Sequence, residues 1–235
     1  MANKPLSGAR LPIPPHLPAS RPPAKSCGMQ DKHDRGKRGY HHGNLREALL
    51  FAAIGLIADK GLQGFTFADA ARAAGVSPAA PYRHFADRDA LLSEVAQYGF
   101  ERFADRLEAA WNRGQPSPFA ALEAVGQAYL AFARQERPLF AAMFQTGLPD
   151  QPALRASADR AFGALQTACQ GLAETLPPAK RPPVRMMSYH IWALSHGIVE
   201  LFGEKSPRRA PIEAAELLES GMLVYLRGLG LIPKD

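Results

Sequence analysis

Among the residues of this chain that could bind a metal or act as nucleophiles, the seven histidines and two cysteines are the most telling. Their spacing suits neither task. His41 and His42 are adjacent, so their side chains point in different directions, and no third ligand lies near them in sequence. Cys27 and Cys169 are far apart and outside any CxxC pair, which excludes a disulfide scaffold and a zinc finger. His190 and His196 stand six residues apart, on different faces of a helix. No phosphate loop of the GxxxxGK[ST] type, no GxSxG elbow, no HExxH and no carboxylate pair with an acid–base partner occurs. The expectation is a protein that is not an enzyme and needs no cofactor.

What remains is recognition by charge and shape. The formal net charge is +6. Residues 1–38 carry Lys4, Arg10, Arg21, Lys25, Lys32, Arg35, Lys37 and Arg38 against Asp31 and Asp34, which accounts for the whole excess. The same stretch holds seven of the 21 prolines, too many for a segment that must bury enough apolar surface to offset its ordering entropy. It reads as a disordered basic arm, either a solubilising extension or a strand that follows phosphates or enters a minor groove. Lys37 and Arg38 adjoin the folded part and are the arm's foremost DNA-binding residues.

The elements behind this arm all read as helices. Asn44 with Glu47, Thr66 with Asp69, Ser77 with Pro78, Asp87, and Ser117 with Pro118 are start signals. Apolar residues recur between them at helical spacing, as at Leu45, Leu49, Ala52 and Leu56. Helices are expected up to Gly61, over 67–74, from Ser77 to about Phe85, from Asp87 to about Trp111, from Ser117, and over 137–147, 151–176, 183–203 and 211–228. No segment has the alternation and β-branched enrichment of a sheet, so the fold class is all-α. The apolar run at 51–58 is far too short to span a membrane, and the proline-rich amino terminus is no signal peptide, so a cytoplasmic location is expected.

Two short helices around Gly75-Val76-Ser77 have the spacing of a helix-turn-helix. A glycine can take the left-handed conformation that closes the first helix, Val76 pins the turn to the core, and Ser77 caps the second helix. Ala79 and Ala80 are small enough for that helix to sit deep in a major groove, with Tyr82, Arg83 and His84 in reach of phosphates or base edges. The same spacing also occurs in ordinary α-hairpins.

The string GFTFADAARAAGVSPAAPYRHFADRDALL, residues 64–92, resembles the DNA-binding domain of the tetracycline-repressor family of bacterial regulators. Phe65-Thr66, Ala70-Ala71, Ala74-Gly75-Val76-Ser77, Tyr82-Arg83-His84-Phe85, Arg88 and Ala90-Leu91-Leu92 carry the likeness. The resemblance implies that Thr66, Tyr82, His84 and Arg88 meet the phosphate backbone. It implies that Ser77, Pro78, Ala79, Ala80 and Arg83 face base edges. Pro81 departs from the helix-favouring apolar residue usual there; within the first turn of a helix its missing N–H would cost nothing.

The carboxy-terminal half is rich in aromatic and methionine residues, which serve either as core or as a ligand cavity. The family resemblance places a cavity among these helices, with Trp111, Tyr129, Phe132, Phe140, Met143, Phe144, His190, Trp192 and His196 as its expected lining. The string from Trp192 to Gly197 resembles the signature of a branch named for its Trp, His and Gly. The resemblance further implies a homodimer through helices 183–203 and 211–228, with Ile198, Leu201, Leu218, Met222 and Tyr225 in the interface. The domain reading is therefore an arm at 1–38, a DNA-binding domain at 39–93 and a ligand-binding and dimerisation domain at 94–235. The expected partners are a palindromic double-stranded DNA operator, a second copy and a small-molecule effector, with no membrane. The expected function is that of a repressor released by its effector; the rival is an arm that binds membrane surfaces or acidic polymers nonspecifically.

Overall fold

The computed structural model describes residues 45–144, 147, 148, 151–202 and 212–232. Lys37, Arg38, His41, His42, Asn44 and Cys27 lie outside the described residues. Every described element is helical: α1 (Leu45–Lys60), α2 (Phe67–Ala73), α3 (Arg88–Trp111), α4 (Pro118–Gln135), α5 (Arg137–Met143), α6 (Pro152–Ala173), α7 (Val184–Phe202) and α8 (Ala214–Gly228). The all-α expectation holds, and most boundaries fall within a residue or two of the punctuation that set them. Asp87 Oδ1 accepts the N–H of Ala90 at 2.8 Å to start α3, and Ser117 Oγ accepts that of Ala120 at 3.2 Å ahead of a first-turn proline to start α4. Asn112 ends α3 in the left-handed conformation, with φ +42°.

One helix organises the rest. Over its 24 residues α3 buries Leu91, Leu92, Val95, Ala96, Phe100, Phe103, Ala104 and Leu107, and α1, α4, α5 and α6 all pack on it. It runs straight through the boundary expected at 93/94. Its amino-terminal third closes the core of α1 and α2 with Leu49, Leu50, Ala53, Ile57, Phe65 and Phe67. Its middle enters the carboxy-terminal bundle, where Phe103 is fully buried, a burial worth about 1.5–3 kcal/mol. Near its end, the Trp111 indole lies where a Cβ on Gly171 of α6 would stand, 2.4 Å from Cζ2, so only glycine fits there.

The expected third helix is different. Pro81–Arg83 forms a 3₁₀ turn, preceded by a turn in which the Ala80 N–H donates to the Ser77 carbonyl at 3.0 Å. In an α-helix begun at Pro78, the Ser77 carbonyl would receive the N–H of residue 81, which proline lacks, so the chain tightens into i→i+3 bonds instead. Ser77 accordingly caps no helix with its side chain.

Candidate nucleic-acid interface

The supporting helix α2 is short and self-contained. The Asp69 N–H donates to Thr66 Oγ1 at 3.1 Å, and the Asp69 carboxylate accepts from the Thr66 N–H at 2.9 Å and from its hydroxyl at 2.8 Å. These two donors hold the Asp69 carboxyl below its ordinary range. Thr66 is exposed as expected, but its hydroxyl and its amide are already engaged by Asp69. At the other end Gly75, at φ +71°, donates to Arg72, and Val76 donates to Ala71. That double closure needs the left-handed glycine.

Beyond Gly75 the sequence-derived residues come together on one surface. Ser77, Pro78, Ala79, Tyr82 and Arg83 are exposed and Ala80 and His84 half-exposed, while Pro81 and Phe85 between and after them are buried. Two apolar anchors thus hold an outward-facing ridge. Tyr82 is 63% exposed, and its ring meets Phe67 edge-on at 5.0 Å, which sets it beside the start of α2. No spacing or motif pointed to that pairing.

Two arginines brace the surroundings of the ridge. Arg46 on α1 donates to both Glu94 oxygens at 2.8 and 2.6 Å, and its guanidinium lies 4.8 Å over the Phe85 ring. Arg88, expected on DNA, donates within the protein through Nε to the Phe65 carbonyl at 3.0 Å and through a terminal nitrogen to the Leu62 carbonyl. It also stacks 4.7 Å over the Phe65 ring and sits 3.5 Å from Asp89. The role of Arg46 was not foreseen, because its partners lie 38 and more residues away.

Seven of the nine expected cavity residues lie together. Tyr129, Phe132, Phe140, Met143, Phe144, Trp192 and His196 belong to or pack on the core around Phe103, with ring centroids 4.4–6.1 Å apart between the direct neighbours Phe144–His196, Phe140–Phe144, Tyr129–Trp192 and Tyr129–Phe140. Inside this ring cluster the Tyr129 hydroxyl and His196 Nδ1 share a hydrogen bond of 3.0 Å. Burial, and then the charge of Glu200, push the Tyr129 phenol above its usual range. The other two residues stand elsewhere. Trp111 packs on Gly114 and Gly171 beyond the cluster, and His190 is exposed, bonded through Nδ1 to the Tyr225 hydroxyl of α8 at 2.9 Å. A separate groove of about 220 Å³ runs between α4 and α8, lined by Glu123, Ala124, Gln127, Leu218, Glu219 and Met222.

The expected interface residues divide in the same way. Leu201 is 56% exposed, but Ile198, Leu218 and Met222 are buried within their own chain. Leu218 and Met222 lie against Gly126 of α4, where a Cβ would meet them at 3.1 and 3.3 Å. On α7 Met186, His190 and Ala193 are exposed and Gly197, in the same row, is half-exposed, and Val224 is the most exposed apolar residue of α8. Helical periodicity found both helices, but an apolar stripe cannot say which of two partners it faces.

Known proteins can be compared with this geometry. A family model for bacterial regulatory proteins of the tetR family matches residues 49–95, and one for the tetracyclin repressor-like C-terminal domain matches residues 122–225. No curated protein matches the chain by sequence. Among solved structures, a Rhodococcus protein of unknown function is similar at 28% identity and a TM-score of 0.68, over 82% of this chain and 98% of its own. The TetR family transcriptional regulator PfmR of Thermus thermophilus matches at 23% identity and a TM-score of 0.58, over 76% and 97%. The fatty acid degradation regulator FadR of Bacillus halodurans matches at 17% and 0.59, over 77% and 98%; these last two likenesses concern the fold. With its amino-terminal and carboxy-terminal models matched in order and together covering more than half of the sequence, this chain belongs to the tetR family of bacterial regulatory proteins.

Proposed function

We propose that this DNA-binding regulator is a homodimeric repressor that a small molecule releases from a palindromic operator, and that it carries out no catalysis. The observation that carries the reading is the exposed ridge Ser77–His84, anchored at Pro81 and Phe85 within the segment that matches the family's DNA-binding domain. Ala79 and Ala80 leave room for close approach to a groove, and Tyr82, Arg83 and His84 supply the polar contacts. A ridge this short makes too few contacts for selectivity alone, so two copies on successive half-sites are required. The stripe Met186, His190, Ala193, Gly197 with Val224 supports pairing through α7 and α8. No described residue comes within 4 Å of a Cβ built on Gly197, which leaves room for a second helix to approach.

The ring cluster around the Tyr129–His196 bond is the effector site in this reading. Phe100 and Phe103 of α3 belong to it, and Arg88, Leu91 and Leu92 of the same helix abut the DNA-binding core. A ligand that prefers another ring arrangement therefore biases α3; a coupling of about 1–3 kcal/mol would loosen operator binding roughly 5–150-fold. The domain division follows as an arm at 1–38, a reader through 93 and a sensor beyond it, joined by α3.

Selection of the full-length protein against a random duplex pool tests the reading. An enriched inverted repeat is expected. Binding without enrichment, lost uniformly as salt rises, would leave only a nonspecific basic arm. Removing residues 1–38 separates the two further: a sequence reader keeps its preference and loses affinity and salt slope, whereas the arm-only binder loses everything.

A further inference from the structure

Arg88 opens α3 at the place where the reader and the long helix meet. Its side chain is 23% exposed, and its guanidinium is engaged on three sides. Nε donates to the Phe65 carbonyl, a terminal nitrogen donates to the Leu62 carbonyl, and the plane lies over the Phe65 ring, itself 3% exposed. Asp89 neutralises part of the remaining charge at 3.5 Å. A guanidinium held this way is poorly placed to reach a phosphate, because two of its nitrogens donate into the protein and the third lies beside a carboxylate.

The carbonyls it holds belong to the loop that delivers Thr66, the cap of α2, and Phe67, its first residue. Phe67 carries the Tyr82 ring edge-on at 5.0 Å. Tyr82 sits in a 3₁₀ turn of only three residues, whose backbone is closed by the Arg83 N–H on the Ala80 carbonyl and the His84 N–H on the Pro81 carbonyl. Its exposed ring takes its direction from Phe67, and a continuous line runs from Arg88 through Phe65, Thr66 and Phe67 to Tyr82.

Resting on the DNA-binding reading above, we propose that Arg88 is a positioning residue of the interface. It fixes the loop at 62–65, and through it Phe67 and Tyr82, and makes no phosphate contact. Lysine cannot reproduce this, since its compact ammonium lacks the separate donor nitrogens and the flat face that reach both carbonyls while lying on the ring, although it preserves the charge that a phosphate would need.

The experiment measures binding of the full-length wild type, R88K and R88A to the inverted repeat that the wild type enriches, across a salt series. Hydrogen exchange of the amides at 67–70 is followed in the free proteins. Both variants should bind roughly 10-fold more weakly, with the slope of log affinity against log salt unchanged and exchange at 67–70 accelerated. R88K binding within about twofold of the wild type, or a slope shallower by about 0.9 in R88A, is the signature of a phosphate contact and overturns the proposal while leaving the DNA reading intact. Unchanged exchange at 67–70 in R88K overturns it as well. Circular dichroism checks folding, and if R88A does not fold, R88K against the wild type decides alone. A wild type that enriches no sequence removes the DNA reading, and the proposal with it.

Discussion

Asp69 shows how much can hang on one exposed carboxylate. It accepts from the Thr66 amide first and the Thr66 hydroxyl second, and both hold its carboxyl below the ordinary value. The folded state therefore favours the ionised form, so the cap's contribution is complete above the unfolded carboxylate range near 4 and disappears as pH falls through the lower folded value. Protection of the α2 amides, with exchange corrected for its intrinsic pH dependence, should fall below that range in the wild type, whereas in D69N it should be the same on both sides of it; parallel profiles would show that the cap is irrelevant. Tyr129 is the buried counterpart. Y129F leaves His196 Nδ1 without its partner inside the ring cluster and should lower stability by about 1–2 kcal/mol in urea unfolding. An unmoved midpoint would mean that the bond contributes nothing to the fold.

Elements here are held by close approach as much as by apolar area. α3 and α6 meet where the Trp111 indole occupies the space beside Gly171. A methyl at 171 has no room unless the indole or a helix moves, so G171A should cost about 1–3 kcal/mol by thermal or denaturant unfolding, and a neutral result would show the indole free to swing. The recognition segment displays the opposite economy. With Pro81 at its start it forms a turn and not a helix, and the guanidinium of Arg46 lies over the Phe85 ring at its end.

For the whole molecule the decisive question is which apolar surface is already covered. Leu218 is 1% exposed against α4, whereas Val224 on the same helix is 70% exposed. L218A should therefore destabilise the chain by about 2–5 kcal/mol. V224E should leave the fold intact and shift the protein from dimer to monomer in sedimentation velocity, with loss of operator binding. A V224E protein that remains dimeric would move the interface off this face.

Much of this protein was legible in its sequence, because helix starts and stops are local chemistry. Asp87, Ser117 and Gly75 act on amides within a few residues of themselves, so the capping pattern located α2, α3 and α4 almost to the residue. The residues exposed between Ser77 and His84 were singled out by helix-turn-helix spacing and family resemblance, whereas the capped helix expected there is a turn. Other features were decided only by distant partners. Proline at 81 reads as harmless if Ala79 is the first helical residue, yet the folded chain tightens into a 3₁₀ turn there. Family resemblance marks Arg88 only as a phosphate contact, and its bonds to the carbonyls of Leu62 and Phe65, 26 and 23 residues away, emerge only in the folded chain. Ile198, Leu218 and Met222 share helices with the exposed stripe, and only the packing of α4 and α7 shows that the chain itself covers them. Periodicity encodes that a helix has an apolar face; which neighbour covers that face depends on contacts far apart in sequence.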